Sequence, residues 1–236
     1  YQGGSTKGYV RGLTVKYLEQ AVQKLGAKPH EILVLDAGCG RGELSVFLAQ
    51  QGYQVIGIDI SAEGCKQAEN LAQSLNVADQ CRFVPASLEA IPQENESIDF
   101  LIGHAALHHF IKYEGVPAEF LRIMKPGAQG FFADSFGENK LYHLFHDKAK
   151  MQELGDVTLT RQLVCRYFQD FTVELVPTDW FTMLDKVYEK VLPKPIRQRA
   201  RTLSYLHFHL DQRIPKQSRV ALYLSGAVMT IITKSL

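Results

Sequence analysis

The chain is poor in cysteine and has no paired cysteine motif. Cys39, Cys65, Cys81 and Cys165 form no CxxC and no metal-type spacing among 236 residues. That excludes a disulfide scaffold and a zinc module, and it points to a reduced, cytoplasmic setting. An excess of one charge is also missing. A formal net charge of +1 offers no basic surplus for neutralising phosphates, so a dedicated nucleic-acid binder is not expected. The longest apolar run, VALYLSGAVMTII at 220–232, falls short of the roughly 20 residues a membrane-spanning helix needs. The opening YQGGSTKGYV has neither a basic n-region nor an apolar h-region, so no secretory signal is expected there. Internal repeats and low-complexity tracts are absent as well.

With 46% hydrophobic and 22% charged residues, the sequence is expected to bury one sizeable core. Apolar residues at Val10, Leu13, Tyr17, Leu18, Ala21, Val22 and Leu25 share one helical face. Short β-branched runs then alternate with amphipathic segments: EILVLD, YQVIGID, CRFVPA and SIDFLIG as strands, ELSVFLAQQG and SAEGCKQAENLAQSL as helices, the latter capped by Ser61. This alternation predicts a parallel sheet with helices on both faces. PAEFLRIMKPG reads as a helix stopped by Pro126-Gly127, followed by a strand at AQGFFAD. Beyond Asp134 residues 139–168 read as helical, DFTVELVP as a strand, 180–224 as mostly helical with interruptions at Pro193, Pro195 and Pro215, and GAVMTIITK as a last strand.

VLDAGCGRGELS places a glycine-rich turn between the first strand and its helix, where a doubly wound sheet binds nucleotide-containing ligands. The spacing is Asp36-x-Gly38-x-Gly40-x-Gly42. In the dinucleotide fingerprint GxGxxG the third glycine falls one place later, which disfavours a nucleotide-dependent oxidoreductase. Asp59 closes the second strand 17 residues beyond Gly42, near where a ribose-gripping carboxylate is expected. Two acids around one nucleoside suit a cationic ligand without a pyrophosphate.

Together, VLDAGCGRG, VIGIDIS, RFVPASLEAIP, IDFLIGHAALHHF and LRIMKPGAQGFFAD resemble the ordered motifs of the class I S-adenosylmethionine-dependent methyltransferases, over residues 30 to 135. The resemblance implies a Rossmann-like, mostly parallel seven-stranded sheet with helices on both faces and a helical cap. It implies one methyltransferase domain over 1–236: an N-terminal helix or lid at 1–28, a cofactor-binding core at 29–137, and acceptor-side cap helices and last strands at 138–236. By the same resemblance Asp36, Gly38 and Gly40 line the methionine end of S-adenosylmethionine, Asp59 binds its ribose, Ile60 packs on adenine, and Ser87 and Leu88 flank the adenine edge. Many relatives carry Asp where this chain has Ser87.

HAALHHF at 104–110 holds three of the eight histidines. Helical spacing of His104 and His108 would permit a two-histidine metal site, but no nearby Glu or Cys completes it and none is expected. Ordinary packing is the plain alternative. The resemblance adds a third: in small-molecule methylases of the family an LHH-type pair follows this strand and serves in some members as general base, with an acid in the position of Asp134. His104 then sits at the strand end over the cofactor, and the resemblance leans towards His109 as the base. Imidazole suits the task because an alcohol is a poor nucleophile until its proton leaves.

Aromatics concentrate beyond residue 138, and Tyr142, Trp180, Phe181 and Tyr188 are expected to line an apolar acceptor pocket, with a cap core of their own as the alternative. Residues 186–219 carry nine Lys/Arg against Glu189 and Asp211, a net charge of +7; a solvated face, a peripheral membrane contact or a carrier contact fits it. The expected activity is methyl transfer to an oxygen of a lipophilic small molecule. N- or C-methylation by alignment alone and a non-catalytic partner-binding subunit stand as alternatives, and the oligomeric state stays open.

Overall fold

The computed structural model describes residues 6–137, 157–177 and 227–236. Seven strands form one sheet: β1 (Leu33–Ala37), β2 (Gln54–Asp59), β3 (Cys81–Pro85), β4 (Ile98–His104), β5 (Met124–Ser135), β6 (Thr172–Pro177) and β7 (Ala227–Thr233). Their order is β3-β2-β1-β4-β5-β7-β6. The first five pair in parallel, and β7 runs antiparallel to both β5 and β6. The chain winds outward from β1 to β3 and then returns to β4 on the other side of β1, so a topological switch opens between the carboxyl ends of β1 and β4.

Among the described residues six helices flank the sheet: α1 (Thr6–Leu25), α2 (Glu43–Gln50), α3 (Ala62–Ser74), α4 (Leu107–Phe110), α5 (Val116–Ile123) and α6 (Arg161–Tyr167). Successive strand residues point to opposite faces, and each face has its own core. Val34, Phe100, Ile102, Phe131 and Met229 pack with Leu13, Leu18 and Val22 of α1, Leu48 of α2 and Ala68 of α3. Leu35, Ile58, Leu101, Phe132 and Val228 pack with Leu107 and Phe110 of α4, Phe120 of α5 and Val164 of α6. Ser61 caps α3 by accepting from the Gly64 N–H at 3.0 Å, and Gly52, at φ +94°, follows the end of α2.

Two boundaries differ from the sequence expectation. The helix α5 stops at Ile123, three residues before Pro126; the proline biases only Lys125 towards extended backbone, and the buried Met124 has already left the helix to join the sheet. Met124 is already extended (φ −71°, ψ 139°) and pairs with Ile98 as the first residue of β5. The helix expected across 139–168 is, where described, confined to Arg161–Tyr167. The Thr160 hydroxyl caps that helix by accepting from the Leu163 N–H at 3.2 Å, and upstream of it the β-branched Val157 and Thr158 favour extended backbone leading into Leu159, which forms a parallel bridge with Phe136. The cap helices expected within 180–224 lie outside the described residues.

Candidate active site

The glycine loop is shaped by its backbone. Gly38 and Cys39 both donate their N–H to Ile58 O, at 2.8 and 3.0 Å, which folds the turn back over the end of β2. Gly38, Gly40 and Gly42 take φ values of +77°, +53° and +72°, a region that L side chains enter only with strain. The three glycines have different duties. A Cβ on Gly42 would lie 2.5 Å from Ala68 Cβ and 2.9 Å from the Phe83 ring, and one on Gly38 would lie 2.9 Å from Ala106 Cβ. At Gly40 no heavy atom lies within 4 Å of that position, so the loop presents open space there.

Below the loop, Asp36 is buried and accepts from Ser45 Oγ at 2.6 Å. Asp59 accepts from Gly40 N–H through Oδ2 at 2.8 Å and from Ser61 N–H through Oδ1 at 2.9 Å. It therefore orders the loop directly, and each oxygen keeps a second lone pair for a further donor. Its neighbour Ile60 is 81% exposed, an apolar side chain laid open beside that carboxylate. Ser87 is exposed in a turn, its Oγ accepting from Glu89 N–H at 3.1 Å, and Leu88 packs partly against the second core. A cleft of about 180 Å³ lies at the switch point, lined by Asp36, Gly38, Cys39, Arg41, Glu43, Leu44 and His104. Burial, reinforced by the Asp36 charge, pushes the Cys39 thiol far above its ordinary range, so this sulfur is a neutral thiol and no nucleophile.

His104 ends β4 and enters the cleft. Ala105 then takes φ +52°, while its N–H still donates to Ala133 O at 2.9 Å, and the chain turns into the single-turn helix α4. His108 and His109 lie on this helix with ring centroids 4.0 Å apart. The Asp134 carboxylate is buried at the carboxyl end of β5. One of its oxygens is 2.5 Å from His108 Nδ1 and the other accepts from Leu107 N–H at 3.2 Å. The acid thus meets His108 and not His109, the histidine favoured by the resemblance. His109 is exposed, and its position in the sequence could not reveal which ring faces β5.

Tyr142, Trp180, Phe181, Tyr188 and the basic segment 186–219 lie outside the described residues. Among the described residues no three His, Cys, Asp or Glu side chains gather as a metal site, and no helix is long and apolar enough to cross a membrane. Four contributors escaped sequence reasoning. Arg41 and Glu43 belong to the cleft, for which the glycine spacing gave no signal beyond their proximity. Ser45 anchors Asp36 from one turn into α2. Tyr167 donates to Phe110 O and Tyr113 O at 3.1 and 2.8 Å, a contact across more than fifty residues that no local pattern announces.

Residues 35–132 match the family model described as the methyltransferase domain. The tRNA 5-carboxymethoxyuridine methyltransferase of Escherichia coli strain K12 is 29% identical over 126 residues, covering 52% of this chain and 48% of its own length. The ubiquinone biosynthesis O-methyltransferase of Coxiella burnetii is 30% identical over 126 residues, covering 52% and 50%. The chain spans about half the length of these curated relatives. The structure of geranyl diphosphate C-methyltransferase from Streptomyces coelicolor A3(2) superposes with a TM-score of 0.63 at 15% identity, over 94% of this chain and 80% of that one; at this identity the likeness concerns the fold. Residues 35–132 thus match a methyltransferase domain, and the strand order around them is the fold that the superposed methyltransferase shares.

Proposed function

We propose that the protein transfers the methyl group of S-adenosylmethionine to an oxygen of a lipophilic small molecule, with His108 as general base. The observation that carries this is the buried Asp134 carboxylate 2.5 Å from His108 Nδ1, on the turn that packs against Gly38 through Ala106.

The residues present fit the cofactor. Open space at Gly40, together with the Asp36 and Asp59 carboxylates, suits a cationic nucleoside, and the exposed Ile60 offers an apolar face for a purine. Asp36, Gly38 and Gly40 hold the methionine end, Asp59 the ribose, Ile60 and Leu88 the adenine, with the Ser87 hydroxyl at its edge and His104 over the cleft. The cofactor supplies an electrophilic methyl group on a sulfonium.

The protein's own residues do the rest. Alignment of the acceptor for in-line attack is worth up to about 7–11 kcal/mol. Asp134 accepts the Nδ1 proton of His108, which fixes the tautomer and leaves Nε2 as the basic nitrogen. It also stabilises the imidazolium formed when His108 takes the acceptor's hydroxyl proton, a contribution of roughly 100- to 10,000-fold. Transfer to nitrogen or carbon needs alignment alone, so the buried acid behind the imidazole favours oxygen. The ubiquinone and geranyl diphosphate relatives carry lipophilic small molecules in their names, and the net charge of +1 suits such an acceptor better than the tRNA of the E. coli relative. Tyr142, Trp180, Phe181 and Tyr188 would form the acceptor's side of the site.

Calorimetry is expected to show binding of S-adenosylmethionine and S-adenosylhomocysteine but not NAD or NADP, and radiolabelled cofactor is expected to mark a hydroxylated metabolite in extracts. Binding of NAD in place of the adenosyl ligands would sink the cofactor assignment, and label found only on nitrogen or carbon would sink the role of the base.

A further inference from the structure

The histidines sit on a helix of four residues with no side-chain cap, too short to hold its own orientation. What fixes it comes from elsewhere in the chain. Val157 N–H donates to His108 O at 3.1 Å, and two residues on, Leu159 O accepts from Gly137 N–H at 2.9 Å, just past the end of β5. Residues 157–159 therefore tie the element carrying His108 to the strand carrying Asp134. From α6, the Tyr167 hydroxyl reaches the carbonyls of Phe110 and Tyr113, at 3.1 and 2.8 Å. These are the last residue of α4 and the turn after it. One hydroxyl proton is shared between the two acceptors, the shorter contact taking the larger part. Burial, with the Glu89 charge second, pushes this hydroxyl well above the ordinary tyrosine value, which keeps it a donor.

The rings continue the clamp. Tyr167 stands edge-on to Phe168, Phe168 stacks on Phe132 at 5.9 Å, and Phe132 meets Phe110 edge-on at 5.9 Å. Phe132 is two residues before Asp134, and Phe110 two after His108. We propose that Tyr167 is a positioning residue for the proposed base: its hydroxyl pins the carboxyl end of α4 so that His108 Nδ1 stays aimed at Asp134. This rests on the assignment of His108 as the base. Tyr167 itself touches neither the ring nor the carboxylate; it acts through backbone carbonyls.

Nuclear magnetic resonance of the full chain labelled with ¹⁵N-histidine tests this without any acceptor. The Nδ1–H resonance of His108, identified by its loss in His108→Gln, is expected far downfield and protected from water in the wild type. In Tyr167→Phe it is expected to move upfield and to exchange with water roughly threefold or more faster, since one hydrogen bond's worth of restraint is removed. Once a hydroxyl acceptor is in hand, kcat is expected to fall roughly 2- to 10-fold at unchanged cofactor KM. Asp99→Asn serves as control. It weakens the contacts of that carboxylate with Leu33 N–H and Lys125 and is expected to lower Tm while leaving the resonance in place. Tyr167→Met is read in the same way should Tyr167→Phe not fold. An unmoved resonance in the Tyr167 variant, with loss of the signal in Asp134→Asn, overturns the positioning role and keeps the pair. A resonance indifferent to Asp134→Asn overturns the pair and the positioning role together.

Discussion

At the glycine loop the bonds that shape the site join residues near in sequence: Asp59 to Ser61 and Gly40, two and nineteen positions apart, and Asp36 to Ser45, nine apart. At the histidine corner they join Asp134 to residues 107 and 108, and Tyr167 to residues 110 and 113, across 26 to 57 positions. The loop needs backbone conformations that only certain residues permit, so its composition announces it. The corner needs particular side chains to meet after the sheet has formed. The two parts therefore depend on different information: the loop on local backbone conformation, the corner on which side chains the finished sheet brings together.

The sharpest way to break this comparison is at the corner. His108→Ala is expected to cost roughly 100- to 10,000-fold in kcat while leaving the affinity for S-adenosylmethionine intact, because deprotonation of the acceptor matters only in the transition state. His109→Ala, whose ring does not meet Asp134, is expected to cost far less. Steady-state kinetics of both variants beside calorimetry of cofactor binding decides; equal losses in the two would remove the distinction drawn from the Asp134 contact.

The loop is expected to fail differently, through stability. Gly42→Ala adds a Cβ 2.5 Å from Ala68 Cβ at a φ of +72°, combining a left-handed penalty with overpacking, together roughly 2–4 kcal/mol. Gly40→Ala meets only the backbone penalty, about 1 kcal/mol, and should instead obstruct the ligand. Denaturant unfolding and cofactor affinity, measured on both, should therefore show opposite rankings. If Gly42→Ala unfolds no more readily than Gly40→Ala, the packing role assigned to Gly42 is wrong.

This division explains what the sequence disclosed. Seven strands, the Ser61 cap and the placement of His104 followed from periodicity, capping chemistry and the resemblance, since each depends on residues within one or two turns. The end of α5 was misplaced because Pro126 was taken as the stop, whereas Met124, two residues earlier, is already drawn into the sheet by its pairing with Ile98. The pairing of Asp134 with His108 was out of reach, because which of two adjacent helical residues faces a strand depends on the entry angle of α4. That angle is set by Ala105 at φ +52° and by the distant Val157 and Tyr167.

Asp59 lies where the comparison blurs, since it both orders the loop and is proposed to grip the ribose. Asp59→Ala is expected to weaken adenosyl-ligand binding roughly 10- to 100-fold, the loss of a charge-assisted hydrogen bond. Asp59→Asn, which retains one acceptor oxygen and two donors, should recover part of it. Calorimetry with S-adenosylhomocysteine reads both, and unchanged affinity in the alanine variant would remove Asp59 from the site.

The smallest effect is expected in the shared floor of the sheet. Thr230 of β7 pairs with Phe132 of β5 and Leu175 of β6, is fully buried, and its hydroxyl has no hydrogen-bond partner among the described residues. Val228 and Ile232, which share its face, belong to the core that packs α4, α5 and α6. A buried hydroxyl without a partner costs roughly 1–3 kcal/mol, and valine has nearly its shape. Thr230→Val should therefore stabilise the fold by about 1 kcal/mol, measured as a higher denaturant midpoint at unchanged slope. It lies two positions before Ile232 and directly across from the phenylalanine that carries the ring stack towards Phe110. A gain in stability with an unmoved His108 resonance would show the floor to be plain packing, indifferent to the corner above it. Lower stability would mean that the hydroxyl is bonded, and that the face beneath α4 is polar by design.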